Sequence, residues 1–203
     1  MCCRYFVDMS PELRPIVEEM NRSPLARRFL EYSAVLTSGE IRPTNVAPVI
    51  ASNRSGNRAV FPMKWGFTVP GRPLVINART ETAGEKPLFR EAWQTHRCIV
   101  PASWYYEWEH LTRNDGKKET GAKYLIQPRS AAAVWMCGLY RMEEGLPSFV
   151  ILTREADESI RFIHDRMPLM LPEEQIGTWI RPGSAADELA ALSRTDMVYE
   201  KVG

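Results

Sequence analysis

Trp104-Tyr105-Tyr106-Glu107-Trp108-Glu109 is the stretch whose reading decides the fold. Period-two alternation puts Trp104, Tyr106 and Trp108 on one face of a strand and Tyr105, Glu107 and Glu109 on the other. An acid therefore sits inside an aromatic strand. Ahead of it, Arg97-Cys98-Ile99-Val100 reads as a buried strand by its β-branched content. Behind it, the Asn114-Asp115-Gly116 turn leads into strand Tyr124-Leu125-Ile126. Strands Ala133 to Tyr140 and Phe149 to Leu152 follow, separated by turns such as Glu144-Gly145, and Leu169 to Leu171 and Met197 to Val202 read as two more. Upstream, Val49-Ile50-Ala51 turns at Asn53 to Asn57 into a returning strand from Ala59 to Phe67. Pro62 assigns that strand to an edge or a bulge. Leu74-Val75-Ile76 then delivers Asn77-Ala78-Arg79 to a strand end, a place where polar residues line sites.

Helices fill the remainder. Ser10-Pro11 reads as a cap and first residue, with Leu13, Ile16, Val17 and Met20 at helical spacing. Ser23-Pro24 opens a second helix that ends before the turn at Ser38-Gly39, and Pro87 opens one carrying Leu88, Phe89 and Trp93. A helix through Ile160 to Ile163 leads into the loop His164 to Pro168, and Pro172 and Ser184-Ala185-Ala186-Asp187 start two terminal helices. The sum is an α+β single domain over residues 1–203, dominated by antiparallel strands with helices outside.

At 203 residues, 44% hydrophobic and 25% charged, the chain has the size and composition of an ordinary globular domain. No apolar run reaches the length of a membrane span, and no basic stretch followed by an apolar one opens the chain. The expected location is therefore cytoplasmic, and the expected state a monomer. Cys2, Cys3, Cys98 and Cys137 lack C-x-x-C spacing, so no metal site is expected from the thiols, and Cys98 and Cys137 read as core. A formal charge of +1 neither forbids nor predicts a nucleic-acid partner.

The chain begins Met1-Cys2-Cys3-Arg4. With Met1 removed, Cys2 carries a thiol and an α-amine on adjacent carbons. Such a 1,2-aminothiol condenses with an aldehyde to a Schiff base and closes to a thiazolidine, and an α-amine titrates at about 7.7–8.0. No cofactor is needed. Taken singly, Cys2, Asn77, Glu107 and His164 each have a plain structural account. Their flanks form an ordered series: Met1-Cys2-x-Arg4, Asn45-Val46-Ala47-Pro48, Trp65-Gly66-Phe67, Ile76-Asn77-Ala78-Arg79-x-Glu81-Thr82, Tyr106-Glu107-Trp108 and Ile163-His164-Asp165-Arg166-Met167-Pro168.

That series resembles the SOS-response-associated peptidase family, the abasic-site shielding proteins, from Cys2 to about Leu171. The resemblance implies a curved, barrel-like sheet and a protein that captures abasic sites in single-stranded DNA by a covalent thiazolidine crosslink from processed Cys2, associating with the nucleoid when bound to DNA. It implies a catalytic set of Cys2, Asn77, Glu107 and His164, and DNA contacts from Arg4, Arg79 and Arg166, which hold phosphate, and from Thr153, a residue near the histidine. The family label "peptidase" implies that Cys2 and Glu107 release Met1, a step a methionine aminopeptidase performs equally well on a small second residue. The residue types suit these roles: an acid/base carboxyl raised in pKa among Tyr106 and Trp108, a neutral imidazole, a neutral amide, and guanidinium phosphate clamps. Two positions depart from the family pattern: Cys3 stands where Gly is usual, and Val69-Pro70-Gly71-Arg72-Pro73 lacks the tryptophans usual before Asn-Ala-Arg.

Two other readings compete. An N-terminal-nucleophile thiol hydrolase requires a two-sheet sandwich flanked by helices and turnover without DNA. A non-covalent reader of damaged or modified single-stranded DNA requires binding that survives loss of Cys2.

Overall fold

In the computed structural model, residues 2–30, 38–112 and 115–202 are described. Met1, the expected end of the second helix ahead of Ser38, and Asn114 of the expected turn lie outside them. The strands are β1 (Arg4–Val7), β2 (Gly39–Ile41), β3 (Val46–Ser52), β4 (Arg58–Trp65), β5 (Asn77–Arg79), β6 (Arg97–Ala102), β7 (Trp104–Thr112), β8 (Lys118–Pro128), β9 (Val134–Glu143), β10 (Leu146–Glu155), β11 (Arg166–Pro168) and β12 (Met197–Val202). The helices are α1 (Arg14–Arg22), α2 (Pro24–Leu30), α3 (Thr80–Ala83), α4 (Arg90–Thr95), α5 (Ile176–Trp179) and α6 (Ala186–Ala191).

Strands β10, β4, β3, β6 and β9 pair in that order, and β9 pairs back onto β10, so the sheet closes into a five-stranded barrel. Both faces of its wall are covered: Ile50, Ile99, Leu139 and Val150 share one face, Trp65 and Phe149 the other, and all six are fully buried. Closure removes the exposed edges that an open sheet would present. A second sheet, in the order β12-β8-β7-β1-β2, lies beside it. The α+β class and the predominance of antiparallel pairing match the sequence reading. Two parallel pairings do not: β10 runs parallel to β4 and to β5. Parallel neighbours need long connections and leave no turn signature in the sequence.

Pro62 illustrates how the barrel accommodates its breakers. It lies in β4 directly opposite Pro48 of β3. The Trp65 N–H donates to the Asn45 carbonyl at 2.9 Å, which fixes the phase of the ladder so that Pro48 and Pro62 face one another at a non-hydrogen-bonded position. Neither missing N–H costs a bond to the partner strand. Ile160 to Ile163, expected to be helical, lie in successive turns over 158–163 instead, with Ile163 N–H on the Ile160 carbonyl at 2.9 Å. Helix α1 buries Ile16, Val17 and Met20, at about 1.5–3 kcal/mol per side chain.

Two registers carry the site. Antiparallel β1 and β7 pair Arg4 with Tyr106, so the chain ahead of β1 runs past Glu107. Parallel β5 and β10 pair Asn77 with Ile151 and Arg79 with Thr153.

Candidate functional site

Cys2 is fully buried. The Asn77 side-chain amide donates to its carbonyl at 2.9 Å, tying Cys2 to the start of β5. The thiol lies 3.7 Å from the Arg4 carbonyl, to which it donates. Burial pushes the thiol well above its ordinary pKa, and the Glu107 charge adds to the rise, so it stays protonated at neutral pH. Tyr5 and Tyr105 are buried beside it. Their hydroxyls and Asn77 Oδ1 have no hydrogen-bond partner among the described residues. Cys3 is half-buried, and its thiol is raised by the same desolvation.

Glu107 is 3% exposed and shares its face with buried Tyr105. The Trp108 N–H donates to its Oε1 at 3.3 Å. Burial raises its pKa, the direction the sequence reading gave. The cause differs: Tyr106 and Trp108, expected to desolvate the carboxyl, lie on the opposite face, where Lys123 stands over the Tyr106 ring at 3.8 Å.

His164 is 8% exposed, and desolvation lowers its pKa to about 4. Its Nδ1 accepts the Arg166 backbone N–H at 2.9 Å and lies 2.7 Å from Asp165 Oδ1. These contacts ask for opposite tautomers. The depressed pKa, with the Asp165 side chain 82% exposed, favours the neutral ring with the proton on Nε2.

His110, which the sequence reading did not select, stands with its ring 4.1 Å from that of His164. One ligand atom from each of Glu107, His110 and His164 lies within 4.8 Å of the others, so these three side chains are the described set able to hold a metal. The alternation that placed Glu107 breaks at a register shift between Trp108 and His110, and past that break a period of two no longer assigns faces.

The arginines divide. Arg166 forms a two-pronged pair with Glu81 at 2.7 and 2.9 Å and donates to the Thr153 carbonyl at 2.6 Å. Its hydrogen bonds hold the Glu81 carboxyl below its ordinary range, and exposed Arg79 adds to that effect. Arg4 pairs with Glu40 at 3.1 Å and stacks on Trp108 at 5.1 Å, on the face of β7 opposite to Glu107. Thr153, expected among the DNA contacts, is fully buried, and its place is beneath Arg166.

The fold is a small mixed barrel flanked by a second sheet, and a thiol, an amide, a carboxyl and an imidazole collect where the start of the chain meets both. The family profile described as SOS response associated peptidase (SRAP) matches residues 1–202. The chain belongs to this family. It is 34% identical over 171 residues, 76% of this chain and 73% of the relative, to the abasic site processing protein YoaM of Bacillus subtilis. It is 35% identical over 159 residues, 72% of this chain and 69% of the relative, to the abasic site processing protein YedK of Escherichia coli. A protein of Bacteroides thetaiotaomicron with a known crystal structure superposes over 100% of this chain and 92% of its own at a TM-score of 0.73 and 22% identity, a likeness of fold alone.

Proposed function

We propose that this chain processes abasic sites in single-stranded DNA by forming a thiazolidine crosslink from Cys2, exposed as the N-terminal residue once Met1 is removed. The observation that carries the reading is the 2.9 Å bond from the Asn77 amide to the Cys2 carbonyl, which holds the aminothiol residue against buried Glu107. The relatives' names supply the substrate class.

The α-amine, partly unprotonated at neutral pH, attacks the aldehyde carbon of the ring-opened sugar. Glu107, proton-bearing more readily than an ordinary carboxyl, gives its proton to the departing hydroxyl; water leaves and the C=N bond forms. The Cys2 thiol then adds across that bond. The Sγ–C bond forms, the C=N electron pair returns to the protonated imine nitrogen, the thiol proton passes to the Glu107 carboxylate and restores the acid, and the five-membered ring closes with no oxidant or reductant. A thiol kept neutral by burial is suited to this order, because it does not compete with the amine for the aldehyde. Neutral His164 takes and returns a proton on the sugar-hydroxyl side. Asn77 Oδ1 accepts from the amine without adding charge. Arg79 and Arg166 clamp phosphate, Arg166 by exchanging Glu81 for it, and Arg4 extends the contact on the other face.

Release of Met1 by Cys2 and Glu107 is the peptidase activity this reading assigns; an aminopeptidase yields the same product. The closed barrel is not the helix-flanked sandwich that a thiol amidohydrolase requires. The test is intact-mass spectrometry before and after incubation with a single-stranded oligonucleotide carrying one abasic site. The expected result is loss of Met1 and a stable adduct of protein plus oligonucleotide mass, absent in Cys2→Ala. Processed wild-type protein that forms no adduct overturns the reading and leaves a non-covalent DNA reader.

A further inference from the structure

Three aromatic rings lie next to the cluster and have no part in the chemistry above. Tyr124 of β8 is directly opposite Glu107 in the β7–β8 register, so the two side chains project from the same face. Lys201 of β12 is directly opposite Tyr124, which continues the row across a third strand. Phe162 precedes His164 by two residues in the turns at 158–163. Its ring meets Tyr124 at 5.7 Å and Tyr199 at 5.2 Å, and Tyr124 meets Tyr199 at 5.8 Å. All three contacts are near perpendicular, at 88°, 68° and 79°, so the rings brace one another edge to face.

The trio is held in place yet open to solvent. Phe162 is 48% exposed and Tyr199 47%. Single exposed aromatics are ordinary, but a contiguous braced group beside a catalytic cluster marks a binding surface. Neighbouring strands lie about 4.8 Å apart, so Tyr124 is about one strand spacing from Glu107 and β12 about two. Lys201, exposed at the end of the row, makes no ion pair among the described residues.

We propose that Tyr124, Phe162 and Tyr199 form a stacking platform for an unpaired nucleobase on one side of the abasic sugar, with Lys201 facing the adjoining phosphate. This rests on the abasic-site reading. Braced rings of which two are about half exposed, a cation at the far end and continuity with Glu107 and His164 are the features of single-strand binding by stacking, which tolerates any base. The Val69–Pro73 loop offers no aromatic residue for that purpose. The platform sits instead on β8, β12 and the turns before His164.

The test compares two single-stranded oligonucleotides, one with the abasic site at a terminus and one with two added bases on the platform side, each direction of extension being tried. In the wild type, added bases in one direction tighten binding about tenfold, and 2-aminopurine in that position is quenched; base–aromatic stacking is of this size. Phe162→Ala and Tyr199→Ala abolish both the gain and the quenching. Phe162→Leu keeps the apolar bulk without the π face and abolishes them too. Retention of the gain in both alanine variants overturns the platform, and full restoration by Phe162→Leu overturns stacking as its basis. Wild-type protein that binds and shows the one-sided gain without an adduct refutes the crosslinking reading and supports the platform. Wild-type protein that forms the adduct without any one-sided gain refutes the platform alone, and one that neither binds nor reacts refutes both.

Discussion

Replacing His164 with Asn should flatten the acid limb of the stability curve, and the size of the effect follows from how the ring is buried. In the folded chain His164 titrates at about 4, whereas in the unfolded chain it titrates near 6.5. Between those values the unfolded state binds the extra proton, so stability rises with pH and is lost as pH falls from about 6.5 towards 4. Integrated between pH 7 and pH 5, the lost stability is at most about 2 kcal/mol. Solvent reaching exposed His110 and Asp165 screens part of it. The raised Glu107 works in the opposite direction, because its folded form binds the extra proton, but it is present in both proteins and largely cancels from their difference. The assay is urea denaturation of wild type and His164→Asn at pH 7 and pH 5, with Met1 in the same state in both. The wild type should lose up to about 2 kcal/mol more than the variant over that interval, a shift of roughly 4–8 °C in Tm for a chain of this size. Equal losses in the two proteins would refute the reading of His164 as a neutral, desolvated ring.

Other expectations follow from particular contacts. In Gly138→Ala the new Cβ meets the Val150 carbonyl oxygen at 2.8 Å and Cys98 Sγ at 3.0 Å, on the two strands that flank β9, so the variant should lose about 1–3 kcal/mol, read as a lower urea midpoint. Arg97 is 3% exposed and donates to the carbonyls of Trp93, Trp179, Arg181 and Ser184, joining α4 and α5 to the barrel. Arg97→Met should cost about 3–5 kcal/mol through the stranded carbonyls, and a loss below 1 kcal/mol by chemical denaturation would contradict that account. Asn77→Ala removes the bond holding Cys2 and strands a buried carbonyl, so it should cost about 1–3 kcal/mol of stability, and adduct formation should slow roughly 5- to 150-fold. A rate equal to wild type in a gel-shift time course would show that the amide does not position Cys2.

Much of this protein is legible in the local chemistry of its chain. The alternation at Trp104 to Glu109 specified a strand and the face of Glu107, because side chains in a strand change sides at every residue whatever its neighbours do. The motif series around Cys2, Asn77, Glu107 and His164 named the residues that the fold collects, since those residue types suit the chemistry proposed for them. Three features depended on residues far apart in the chain. The barrel closes through parallel pairing of β10, which has no turn of its own to announce it. His110 joins Glu107 and His164 past a register shift that breaks the period used to assign faces. The Tyr124–Phe162–Tyr199 group is assembled from two strands and a run of turns, and its rings become neighbours only through the β8–β12 register and the path of the chain into His164. The sequence by itself determined which side chains carry reactive atoms; the tertiary structure alone decided their burial and hence their protonation, because desolvation depends on everything that packs around a group and not on the residues beside it in the chain.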